Sequence, residues 1–225
     1  MKSVADEWIT CTIFRRIAIV VLMLLLSAGA TFAQAGFFGV MPLTQGRTFW
    51  NPIVGSGAVY RIDVEGDALS NGTMEVDVLG KERVNGKDAF WVQVVGKTFG
   101  KPEWVWKRLV DGASPHQIFK SVFQLSGHPP IALTVPGQAT QAHQAENESY
   151  IGREVITVLA GTFECDHYRS RNSPTDDVWL SKKVVVWGVV KEQGTHNGKV
   201  VHMMLVRTLT HPKDRIPASP LNRIF

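Results

Sequence analysis

Cys165, Asp166 and His167 follow one another in a single short run. A thiol beside an imidazole is the pairing used for a nucleophile and its base, or for two metal ligands. Successive side chains of a strand alternate, so Cys165 and His167 share one face while Asp166 points to the other. No second mature cysteine completes a zinc-type pair. The histidines (His116, His128, His143, His167, His196, His202 and His211) are scattered, with no H-E-x-x-H spacing. There is no G-x-S-x-G, Walker loop or dinucleotide fingerprint. Asp111-Gly112-Ala113 lacks the Thr or Ser of an aspartic protease turn and reads as a hairpin. No catalytic residue, metal site or cofactor is expected, and an enzyme built on Cys165 with His167 stands only as an alternative.

The other chemically suggestive residues are aromatic. The chain holds seven tryptophans. Trp104 and Trp106 share a face of one strand and form the best lining pair for an acyl-chain or carbohydrate pocket. Trp91 and Trp187 sit in equally apolar stretches, and the four together are the expected ligand-binding residues. Aromatic residues in such positions are more often plain core. Gln124 to Pro130 is a candidate loop at a cavity mouth, or a passive connection.

The elements that must carry these residues are strands. Tyr60, Ile62 and Val64 alternate with Arg61, Asp63 and Glu65, the period of a half-buried strand. Met74, Val76 and Val78 repeat the pattern. Ala89 to Val95, Glu103 to Val110, Gln117 to Leu125, Glu154 to Leu159, Thr162 to Arg169, Asp177 to Leu180, Val184 to Lys191 and Lys199 to Thr210 continue it. Asn85-Gly86 is a two-residue hairpin signal, Asp111-Gly112 a second, and Ala160-Gly161 and Gly194 to Gly198 weaker ones. Short strands with turns between them indicate an antiparallel sheet, barrel or sandwich. The one helix candidate is Gln138 to Glu148, which reads equally as a loop. Phe90-Trp91-Val92, Trp104-Val105-Trp106 and Val184 to Trp187 are apolar on both faces. Such strands are buried twice or face an apolar ligand; a sheet curved over a lipid-like cavity and an ordinary sandwich core both satisfy that.

The start of the chain reads as an export signal. Arg15 and Arg16 precede the apolar run Ile17 to Leu26, and Ala33-Gln34-Ala35 fits a cleavage site before Gly36. Cutting after Ala33 fits almost as well. The apolar run is about ten residues, half of what a spanning helix needs, so cleavage is favoured over a retained anchor and the general secretory route over twin-arginine export. Arg15-Arg16 lacks the flanking residues of twin-arginine export, and no cysteine stands where a lipoprotein would be acylated. The expected organisation is therefore 1–35 signal peptide, 36–210 one β-rich domain and 211–225 a Pro-containing tail, extended or loosely docked. Removing the first 35 of 225 residues leaves 190, enough for one core. The whole-chain charge of +4 falls to +3 and is spread out, which argues against nucleic acid. Cys165 is then the only cysteine, so no internal disulfide forms, and it suits a small core hydrophobe.

Val158 to Arg169, Val-Leu-Ala-Gly-Thr-Phe-Glu-Cys-Asp-His-Tyr-Arg, resembles the hairpin of a family of uncharacterised exported bacterial proteins. There it is followed by two strands matched here by Asp177-Val178-Trp179-Leu180-Ser181 and Trp187-Gly188-Val189-Val190-Lys191. The match covers about the last third of the chain. It departs at Leu159 and at Val186, where Pro is usual or frequent. The resemblance implies a LolA/LolB-type half-barrel, a curved antiparallel sheet partly wrapped round a lid of helices with an apolar concavity, and carries over no catalytic residue.

The resulting expectation is a mainly β protein: a curved antiparallel sheet or half-barrel with at most one or two short helices, periplasmic or secreted after cleavage. It would bind or carry an apolar, lipid-like ligand without catalysis and meet the membrane only through an uncleaved signal segment. The alternative is an envelope protein that docks on a protein partner by a sheet edge or its tail. An outer-membrane barrel fits less well, because several strands fall short of the ~9–11 residues of a span and both faces carry charge.

Overall fold

Alternation of apolar and polar residues makes strands wherever the sequence shows it. The computed structural model describes residues 48–135, 148–173, 175–196 and 198–217. The expected signal segment and nearly all of the Gln138–Glu148 helix candidate lie outside the described residues; Glu148 itself opens a strand.

The first six strands are β1 (Ser56–Val64), β2 (Gly72–Val84), β3 (Lys87–Thr98), β4 (Trp104–Asp111), β5 (Ile118–Leu125) and the two-residue β6 (Ile131–Ala132). The rest are β7 (Glu148–Val158), β8 (Gly161–Ser170), β9 (Asp177–Leu180), β10 (Val189–His196) and β11 (Lys199–Thr210). They form one eleven-stranded antiparallel sheet in the order β6-β5-β4-β3-β2-β1-β11-β10-β9-β8-β7. Two meanders are thus joined where the first strand pairs with the last. Among the described residues the only helical element is one 3-10 turn, Ala68–Ser70.

Turn chemistry fixes much of this. Asn85 and Gly86 have φ of +51° and +79°, the positive pair that a tight hairpin requires. Val158 pairs with Gly161 across Leu159 and Ala160, closing the β7–β8 hairpin in two residues. Asp111-Gly112 does not make a tight turn. The Asp111 N–H reaches Gln117 O and the Gly112 N–H reaches Asp88 O, so residues 112–117 form a longer loop. The run from Val184 to Lys191 also departs from expectation: its strand starts only at Val189. Val186 has φ +68° and Gly188 φ +75°, conformations no strand accommodates. Val184 and Val186 are apolar because they are fully buried in a loop, where Val186 exchanges two 2.9 Å backbone hydrogen bonds with Asn51.

A flat single sheet would leave both faces wet. Here one face is buried across almost its whole width, through Tyr60, Met74, Val76, Leu180 and Leu205, each at 0–1% exposure. Curvature makes this possible. β7 approaches β10 and β11, three and four places away in the sheet order. Register shifts in the β1–β11, β2–β3, β4–β5, β7–β8 and β9–β10 pairs supply the extra twist that bulges bring. The result is the mainly β, curved half-barrel expected from the sequence. Its wholly buried face is called inner below, and the opposite face outer.

Candidate functional site

Register decides which candidate residues meet. Pairing of Val94 with Trp106 and Gly96 with Trp104 places both tryptophans on the inner face. Gly96 is what admits the indole: a Cβ there would overlap the ring of Trp104. Trp106 donates from Nε1 to Ser121 Oγ at 2.6 Å, and the Arg108 guanidinium lies 3.3 Å from its ring centroid. Burial lowers the Arg108 pKa to about 9. Trp91 is paired with Leu109 on the other face. Trp187 lies in the loop before β10, its carbonyl accepting from the Phe49 N–H. Trp104 and Trp106 therefore stay together, while Trp91 belongs to a different surface and Trp187 to neither strand face.

The inner face holds two polar groups that pattern reasoning missed. The Tyr60 hydroxyl and Glu192 Oε2 are buried and have no hydrogen-bond partner. Burial, then the nearby Glu192 charge, pushes the Tyr60 phenol above its ordinary range. Burial, then the charges of Glu148 and Asp176, pushes Glu192 well above the usual carboxylate range. Orphaned buried polar groups each cost on the order of 1–3 kcal/mol. They persist where a ligand, water or function uses them. Each sits in an unremarkable alternating strand, so the sequence carried no sign of either.

His167 anchors a second cluster, on the outer face. Its Nδ1 lies 2.7 Å from Glu154 Oε1 and its Nε2 2.8 Å from Asp177 Oδ1, so the ring bridges the two carboxylates. The ring stacks on Trp179 at 4.4 Å, Trp179 Nε1 donates to Glu154 Oε2 at 3.0 Å, and Lys191 Nζ lies 4.7 Å from the Trp179 centroid. Arg169 donates to Asp177 at 2.8 Å. The Trp179 and His167 hydrogen bonds draw the Glu154 pKa down. Burial works against the Asp177 charge, but Arg169 and His167 outweigh it and leave that pKa low as well. Cys165 is on the same face as His167, as alternation requires. It is 1% exposed, and burial with the charges of Asp166 and Glu154 raises its pKa to about 11. A thiol so poised is a packing residue rather than a ready nucleophile. An open cleft of about 170 Å³ lies between Phe49, Arg153, Asp166, Leu180 and Lys183, on the inner side to which Asp166 and Leu180 belong. Among the described residues no group of three or more His, Cys, Asp or Glu could hold a metal ion.

A third cluster lies on the outer face of β2 to β5. Asp77, Gln93 and Lys107 are at 0, 0 and 3% exposure, side by side through the pairs Asp77–Gln93 and Gln93–Lys107. The segment after β11 covers Gln93 and Lys107. Lys107 Nζ donates to both Asp214 carboxylate oxygens at 2.9 and 2.7 Å and to Ile216 O at 2.7 Å. Gln93 donates to Lys213 O at 3.0 Å and to Asp77 at 3.1 Å, and accepts from the Arg215 N–H at 2.8 Å. Ile216, 1% exposed, packs with Val95, Val105, Val122 and Trp91. Burial, then Glu75, raises the Asp77 pKa to about 8.

No protein-family model and no curated protein matches the chain. Among solved structures it is similar to a candidate lipoprotein from Parabacteroides distasonis, at 14% identity and TM-score 0.40, over 72% of this chain and 98% of that one. A candidate exported protein with YmcC-like fold from Bacteroides fragilis gives 8% and 0.38, over 72% and 99%. MucB in complex with MucA(peri) gives 11% and 0.37, over 76% and 53%. Likeness at this level assigns neither fold nor function.

Proposed function

We propose that the protein is an exported, non-enzymatic binding or carrier module that takes an apolar, lipid-like ligand against the inner face of its half-barrel. The observation that carries the reading is a buried, mostly apolar face that also contains the partnerless Tyr60 hydroxyl and Glu192 carboxyl oxygen. Apolar walls with a few unpaired polar groups are the usual make-up of a ligand site. Met74 and Met203 on that wall are adaptable side chains suited to irregular chains. Export rests on the Arg15 to Ala35 pattern, and the LolA/LolB-like resemblance points to the same ligand class.

Native mass spectrometry of the protein recovered from the envelope fraction of expressing cells tests this. The expected spectrum carries lipid-sized adducts that organic extraction removes. A mass equal to the bare processed chain, with no uptake of the apolar fluorophore 1-anilinonaphthalene-8-sulfonate or of added fatty acid, would sink it.

One observation favours a second reading, docking on an envelope protein. The β7–β8 hairpin ends the sheet and exposes Tyr150 (56%), Ile151 (48%), Val155 (70%) and Leu159 (72%). An uncovered edge strand with apolar side chains is a surface for pairing with another chain. Cross-linking from position 155 in cells separates the readings: capture of one envelope protein, with a ligand-free interior, would favour docking.

A further inference from the structure

The outer-face cluster is a socket with a plug. Its rigid wall is sheet: Gln93, Lys107, Val95, Val105, Val122 and Trp91 all sit on paired strands. The plug is four residues of irregular chain, Lys213 to Ile216. Recognition uses three separate contacts. Gln93 reads the backbone, accepting one N–H and donating to one carbonyl. Lys107 reads the Asp214 carboxylate and the Ile216 carbonyl. The valines and Trp91 take the Ile216 side chain. Backbone pairing plus a charged and an apolar side-chain subsite is how extended peptides are bound.

The energetics also favour exchange. The Lys107 side chain is 4% exposed while its partner Asp214 is 38% exposed, so the carboxylate already reaches water. Opening the plug returns Lys107 and Gln93 to solvent together, as Asp214 leaves. No charge is left buried alone, which is the situation that makes a broken buried pair so costly. A cis plug competes with any trans peptide at high effective concentration and lowers its apparent affinity by the fraction of sockets left open.

We propose that this socket is a peptide-binding site, held in cis by Lys213–Ile216, that accepts in trans an extended segment of another polypeptide with an acidic residue two positions before an aliphatic one. The site lies on the face opposite the proposed ligand and does not depend on it.

The probe is a fluorescein-labelled peptide, His-Pro-Lys-Asp-Arg-Ile-Pro, followed by anisotropy against the full chain and against the full chain carrying Asp214→Ala with Ile216→Ala. The expected result is saturable binding to the variant and affinity about tenfold or more weaker for the unsubstituted chain. Adding Lys107→Met to the variant should remove most of the binding, and a peptide with Ala in place of its Asp and Ile should not bind. A folded variant, with unchanged circular dichroism, that shows no saturable binding overturns the proposal. So does equal binding of the Ala peptide. If the variant fails to fold, hydrogen exchange on the unsubstituted chain decides. Excess peptide should speed exchange at the Arg215 and Ile216 amides, and unchanged exchange at millimolar peptide overturns the proposal.

Discussion

Two charged clusters on the outer face are treated by the sheet in opposite ways. On β2 to β4, Asp77, Gln93 and Lys107 are buried, with Gln93 and Lys107 held beneath residues 213–216. On β7 to β10, Glu154, His167, Asp177 and Arg169 satisfy one another, and the Glu154 and Arg169 side chains stay 43 and 44% exposed. A roofed cluster needs a partner of matching charge supplied from elsewhere in the chain. An open cluster needs only correct register between neighbouring strands. The titrations divide the same way. Under the roof, burial dominates and Asp77 is raised to about 8. At the open site hydrogen bonds and opposite charges dominate, and Glu154 and Asp177 are lowered.

The largest expected effect comes from removing the centre of the open cluster. His167→Ala leaves Glu154 and Asp177 without the ring that bridges them and opens a void beside Trp179. A loss of about 2–4 kcal/mol is expected, measured by urea unfolding at neutral pH. A loss under about 0.5 kcal/mol would show that the two regions are not distinguished as argued. Ile216→Ala should cost about 2 kcal/mol at most, because the strap can release before the sheet does. Hydrogen exchange should rise at residues 211–217 and hardly change in β3 and β4; a uniform rise would erase the distinction between plug and wall.

Acidity gives a third contrast, smaller and opposite in sign for the two sites. Folded Asp77 keeps a proton that the unfolded chain gives up, so its contribution to stability falls as pH rises from about 4 to about 8. Asp77→Asn should therefore stabilise the fold by about 1 kcal/mol or more near pH 8 and do little near pH 4. The lowered carboxylates Glu154 and Asp177 stabilise the fold at neutral pH, and that contribution is lost as pH falls through their folded values. His167→Ala should accordingly flatten the acid limb of a stability–pH curve. The smallest effect belongs to the edge strand β7: Val155→Lys should change stability by less than about 0.5 kcal/mol, since Val155 is 70% exposed. A larger loss in thermal unfolding would mean that this edge is packed rather than free.

Much of the architecture was readable from local pattern. Alternation in Tyr60 to Glu65 and in Met74 to Val78 named the inner-face residues of β1 and β2, and Asn85-Gly86 named its turn. Cys165 with His167 and Trp104 with Trp106 were placed on common faces correctly, since side chains two apart in a strand have no choice. Val184 to Val186 misled because burial in a loop selects the same apolar residues as burial in a strand. Asp111-Gly112 misled because the Gly112 N–H binds Asp88 and stretches the turn.

What the sequence by itself determined is thus the set of strands, their two faces and the absence of the familiar catalytic motifs, all properties of spacing along one segment. Tertiary structure decided the rest. It paired β1 with β11, set Glu154 and Asp177 on either side of His167, separated Trp91 from Trp104 and Trp106, and laid residues 213–216 over Lys107. Those outcomes depend on register between strands and on contacts between residues as far apart as Gln93 and Arg215. Period-2 alternation is blind to both, because sliding one strand by two residues against its neighbour leaves every face unchanged and every partner different.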